Sequence, residues 1–76
     1  MILIYIVIAA LSGSEIKVNE SIPFSQMHEC RAFVTKNQNS MLESAGRAYG
    51  NVKITEMGCV DYNNRKLEPV VFFTPM

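Results

Sequence analysis

Met1-Ile2-Leu3-Ile4-Tyr5-Ile6-Val7-Ile8-Ala9-Ala10-Leu11 runs for eleven residues without a charge, a Gly or a Pro. A helix needs about 20 apolar residues to cross a bilayer, so the run is too short for one. It holds four Ile and a Val, and β-branched side chains suit the pleated surface of a strand. Unbroken apolarity, rather than alternation, marks a strand buried on both faces. The expectation is a central strand of a small sheet. A secretory leader competes with this reading, since the run has the length of an h-region and Ala10-Leu11-Ser12 resembles a cleavage site. No Lys or Arg precedes the run, however, which speaks for a retained strand and against a leader. A membrane partner is not expected.

Outward from this stretch, Ser12-Gly13-Ser14 signals a tight turn. Ile16 and Val18 then alternate with Lys17 and Asn19, the period of a half-exposed strand spanning Glu15 to Glu20. A short loop between two such strands implies an antiparallel hairpin. Lys17 and Glu20 would guard the second strand as an edge, and Pro23 is expected to stop it. Ser25, after Phe24, suits a helix N-cap. Met27, Cys30, Val34, Met41, Ala45 and Ala48 form one helical stripe, widened by Phe33, Leu42 and Tyr49. Gly50 is placed to end the helix. Asn37-Gln38-Asn39-Ser40 are poor helix residues, and Ser40-Met41-Leu42-Glu43 matches a capping box. The stripe keeps its phase across them, so a continuous or kinked helix is expected over one that breaks near Asn39 and restarts at Ser40.

Val52 and Ile54 resume the strand pattern, and Met57 and Cys59 take the opposite parity around Gly58, which suggests a β-bulge. Asp61-Tyr62-Asn63-Asn64-Arg65 reads as a turn, with Asn suited to positive φ. Leu67 and Val70 to Phe73 make a last strand, with Pro69 near its start and Pro75 closing it. The expected fold is one α+β domain over residues 1–76. It has two layers: a mostly antiparallel sheet in the order β-β-α-β-β, with one long helix on one face. The first strand would lie inside, between the second and third. One helix covers one face only, so the other face is expected to expose Ile, Val and Phe, a cost that points to a partner or a homodimer.

Composition fits this picture: 76 residues, 49% hydrophobic and 18% charged, with seven Lys and Arg balanced by seven Asp and Glu. The basic residues are scattered, with no stripe of the kind nucleic acid requires, so no nucleic-acid partner is expected. A net charge of zero removes the self-repulsion that keeps chains apart. A chain this short has marginal stability and gains from a staple or a partner.

Few residues carry chemistry. Cys30 and Cys59 lie 29 positions apart, on the helix stripe and the third strand. They either form a disulfide, which implies an oxidising compartment or a virion, or stay as two buried thiols in a host cytoplasm. His28, Cys30, Cys59 and Asp61 would have to converge to hold zinc. On a helix, however, His28 and Cys30 point about 200° apart, so no metal and no cofactor are expected. The same divergence separates His28 from Cys30 as a base and nucleophile. Glu56 and Asp61 read as solvated strand-end charges, and the four Gly are too dispersed to cradle a phosphate. An enzyme is not expected. Tyr62, in a polar turn, is a candidate partner contact. Phe72 and Phe73 are either partner contacts or core, as are Tyr5 and Tyr49. Asn19-Glu20-Ser21 matches a glycosylation acceptor, a triplet common by chance.

The order Ile2 to Leu11, Ser12 to Ser14, Phe24-Ser25, Cys30 with Ala32, and Val52 to Val60 with Cys59 resembles that of short uncharacterised phage-encoded or bacterial proteins. These share an apolar first strand, a Cys-bearing helix and a Cys-bearing later strand. The resemblance covers about residues 1–60 and implies a viral origin. The function expected is that of a small non-enzymatic interaction module, such as a phage accessory protein that binds itself or a host protein. A secreted or envelope-associated disulfide-stapled protein and a thiol-based enzyme are the alternatives.

Overall fold

The computed structural model describes residues 1–10, 13–50 and 53–73. Its elements follow the expected order: β1 (Ile2–Ala10), β2 (Gly13–Phe24), α1 (Met27–Tyr49), β3 (Lys53–Asp61) and β4 (Lys66–Phe72). The four strands form one antiparallel sheet in the order β2-β1-β3-β4. β1 is therefore interior and hydrogen-bonded on both edges, and Ile2, Leu3, Ile4, Tyr5 and Ile8 are all buried. Ser12, Val52 and Pro75, each assigned a place from the sequence, lie outside the described residues.

The alternation of β1 divides the molecule into two layers of packing. Ile2, Ile4 and Ile8 face α1 and share its core with Cys30, Val34, Ala45, Ile54, Met57 and Cys59. Leu3 and Tyr5 face the other way and meet Val60 in a second, smaller cluster. At about 1.5 Å per residue the 23 residues of α1 span roughly 34 Å. That matches the 33 Å long axis of the molecule, so the helix runs the length of the sheet.

Several local expectations are corrected. β2 does not stop at Pro23 but continues to Phe24, which pairs with Ile2. An edge strand tolerates Pro, because its outward N–H has no ladder partner to lose. β2 also bulges there, advancing from Asn19 to Phe24 while β1 goes only from Ile4 to Ile2. The helix is capped at Gln26 without a side-chain hydrogen bond. Ser25, expected as the cap, donates instead to the Glu29 carboxylate at 2.9 Å. The kink lies at Asn37 (φ −113°, ψ 18°), and α1 runs on through Ser40, so Ser40–Glu43 caps nothing. Asn37 Nδ2 donates to the Phe33 carbonyl and Thr35 Oγ1 to that of Arg31, both at 2.9 Å. Such back-bonds from side chain to backbone bend helices. Gly50 ends the helix as expected, at φ 80°, with its N–H on the Gly46 carbonyl.

In β3 the parity switch comes three residues before Gly58. Against β1, Val7 pairs with Glu56 and Ile8 with Ile54, so Thr55 is the extra residue. A second irregularity does lie at Gly58, but there the surplus residue, Val70, belongs to β4. In the turn after β3 the positive φ falls on Arg65 (56°) rather than on an Asn. The amide oxygen of Asn64 is occupied by the Lys66 N–H, and Asp61 accepts from the Asn63 N–H, each at 3.1 Å.

Candidate functional site

Cys30, at the start of α1, and Cys59, in β3, stand at disulfide distance, bridged Sγ to Sγ with Cα atoms 6.2 Å apart. Both are fully buried. The bridge pins the amino-terminal half of the helix to the middle of the sheet. Beside it, Arg31 reaches the Glu68 carboxylate of β4 at 2.6 Å. That pair is exposed and contributes at most about 1 kcal/mol, so the bridge is the main tether. A thiol nucleophile would require the bridge to be open and the sulfur to be reachable, and neither condition holds here.

The other chemistry-bearing residues are dispersed. His28 is exposed on the helix surface. Among the described residues no three His, Cys, Asp or Glu side chains stand close enough to hold a metal ion. Glu56 accepts a hydrogen bond from the Tyr5 hydroxyl and Asp61 serves its own turn, so the two carboxylates act separately. Burial pushes the Tyr5 phenol well above its ordinary range, and the Glu56 carboxylate adds to this both as hydrogen-bond acceptor and as negative charge. Among the described residues no helix is long and apolar enough to cross a membrane.

A candidate surface is the face of the sheet opposite α1. The pairings Tyr5 with Val18 and Val7 with Ile16 put the apolar residues of β2 on that face. The pairings Val60 with Leu67 and Glu56 with Phe72 do the same for β4. The centre, Leu3 and Tyr5, is fully buried. Around it Ile16 is 51% exposed, Val18 37%, Leu67 41% and Phe72 63%. An apolar rim on both edges thus surrounds a small closed core. Gly58 is what allows the centre to close: a Cβ there would meet the Glu68 backbone carbonyl and, at 2.7 Å, the Tyr5 ring. The sequence signal for this was a Gly inside an apolar strand, which marks a close approach as readily as a bulge.

The three aromatic candidates are not brought together. Phe72 lies on the open face, whereas its neighbour Phe73 packs against the helix-side core. Tyr62 is exposed in the turn, with its N–H on the Met1 carbonyl. It sits six positions along β3 from Glu56, the partner of Phe72, or roughly 20 Å away. Ile16, Val18 and Leu67 belong to the open face and were not singled out from the sequence, because a side chain's face depends on register, which a single strand does not reveal.

No family model matches the chain, and no curated protein or solved structure matches it either.

Proposed function

We propose that the protein is a non-enzymatic, disulfide-stapled interaction module whose open sheet face packs against a second copy of the chain. The observation that carries this reading is the set Ile16, Val18, Leu67 and Phe72, all exposed and all on one face. Scattered single apolar residues need no explanation, but a set on one face of a small domain marks an interaction surface. Four strands about 4.8 Å apart and about eight residues long offer a footprint of roughly 500 Å². Two copies would bury about 1,000 Å², the lower bound of a specific interface. Two sheets pack face to face at about 10 Å, with their inner side chains interleaved. A net charge of zero leaves little long-range repulsion to oppose the approach. The Cys30–Cys59 pair supports a setting outside the reducing cytosol: a periplasm, an exterior or a virion.

Sedimentation velocity tests the reading. The native chain should sediment at twice its 8.5 kDa monomer mass as concentration rises. Phe72→Glu with Ile16→Lys should hold it as a folded monomer. A native chain that stays monomeric to near-millimolar concentration refutes self-association and leaves a different protein as the occupant of this face.

A further inference from the structure

The helix-side face of the sheet is covered unevenly. Under the amino-terminal half of α1 the core is closed, with Cys30 and Val34 fully buried. Beyond the kink at Asn37 the helix faces β1 and β2 across a cleft of about 330 Å³. Its floor is Ile4, Ile6 and Ile22, and Phe33 and Met41 wall it on the helix side. Where a longer side chain would close the gap, α1 presents Ser44, Ala45 and Ala48. Two irregularities border the space: the β2 bulge between Asn19 and Phe24, and the kink itself. The cleft opens to solvent along one side, where Asn19, Ile22, Ser40, Ser44 and Ala48 are exposed, and closes onto buried Ile4 and Ala45 at its base.

Size and chemistry restrict what fits. A cavity of about 150 Å³ lined by Leu, Ile and Phe takes up benzene, and this cleft has roughly twice that volume, at the lower end of ordinary ligand sites. Among the described residues no ionisable side chain lines it. Its polar groups are the amides of Asn19 and Asn37 and the hydroxyls of Ser40 and Ser44. On β2, Lys17 lies 6.0 Å from the Tyr49 ring and is paired with Glu15 at 3.4 Å. A charged head group would find no counter-ion among these lining residues, whereas an uncharged polar one can pair with their amides and hydroxyls. We propose that the cleft between the carboxy-terminal half of α1 and strands β1 and β2 binds an uncharged amphiphile with a medium-length alkyl chain. The chain would lie on the three Ile side chains and its polar end would meet the amide and hydroxyl groups. This site is on the opposite side of the sheet from the self-association surface and does not depend on it.

Three eight-carbon probes that differ only in head group test this: 1-octanol, octanoate and octylammonium, each titrated into the intact oxidised chain and followed by NMR. Octanol should give saturable shifts confined to the methyls of Ile4, Ile6, Ala45 and Ala48, and the two ions should bind at least tenfold more weakly. Ser44→Leu and, separately, Ala48→Leu should fill the cleft, leave the fold intact and weaken octanol binding at least tenfold. Phe72→Glu should leave the octanol titration unchanged, which separates this outcome from any failure of self-association. The proposal is overturned by octanol shifts that do not saturate or that map to the open face. It is equally overturned if octanoate or octylammonium binds as tightly as octanol, or if a folded Ser44→Leu or Ala48→Leu chain binds octanol undiminished.

Discussion

Opening the Cys30–Cys59 bridge should remove a large share of the stability of this domain. The bridge closes a loop with a sequence separation of 29. In the chain-entropy account such a loop is worth about 3.6 kcal/mol at 25 °C, because the unfolded chain regains that freedom once the link is cut. A domain of 76 residues is expected to have about 4–11 kcal/mol in total. At about 4–8 °C per kcal/mol, the midpoint of thermal unfolding should fall by about 15–30 °C. Both sulfurs are fully buried, so a phosphine reductant must act while the chain is unfolded, with denaturant removed afterwards. Circular dichroism melts of oxidised and reduced chain then isolate the cross-link, since the reduced protein keeps both sulfur atoms. Cys30→Ala with Cys59→Ala should fall further, because it also leaves a cavity in the core. A drop of under about 5 °C on reduction would refute the reasoning, by showing that packing alone holds α1 on β3.

Other expected outcomes follow from single residues. Gly58→Ala forces a methyl against the Glu68 backbone carbonyl and the Tyr5 ring and should cost about 1–3 kcal/mol, read as a lower denaturant midpoint. A loss under about 0.5 kcal/mol would mean that both the ring and the neighbouring β4 backbone give way freely. Tyr5→Phe removes the hydroxyl that Glu56 accepts from and should cost about 1 kcal/mol at neutral pH. The folded Tyr5 ionises above its unfolded value of 10.0, so its contribution is complete below pH 10. It is lost as the pH rises beyond that, because the unfolded chain releases the proton first. Stability of the native chain should therefore fall by up to about 1.4 kcal/mol per pH unit above pH 10. The same denaturant titration on Tyr5→Phe should lack that component, and an identical alkaline slope in the two proteins would contradict the burial of the phenol.

Element order, the central place of the opening strand and the one-sided helix were legible because each rests on a pattern that extends over many residues. Ile2 to Ala10 could satisfy its apolar side chains only from both faces, and the stripe from Cys30 to Ala45 had one face to offer. The misreadings cluster where a local side-chain bond competes with backbone pattern. Ser25 has the chemistry of a cap but bonds Glu29. Asn64 has the tolerance for positive φ, but its side chain holds the Lys66 N–H and the strain passes to Arg65. Pro23 ends a strand only where its missing N–H is needed, and an edge does not need it. The open face was expected in kind but not in composition, since Ile16 and Val18 join Leu67 and Phe72 only through the register across β1 and β3. The cleft was invisible in sequence: Ser44 and Ala48 read as ordinary helix positions until the bulge in β2 and the kink at Asn37 set them across an empty space.

The most direct test of the proposed association is a mixed sample in which half the chains carry labelled methyl groups and half are unlabelled. The account expects intermolecular nuclear Overhauser contacts from the methyls of Ile16, Val18 and Leu67 to protons of the other copy, Phe72 ring protons among them. Contacts arising instead from Ile22 or Met41 on the helix side, or none at all while the sample has the mass of a dimer, would contradict it.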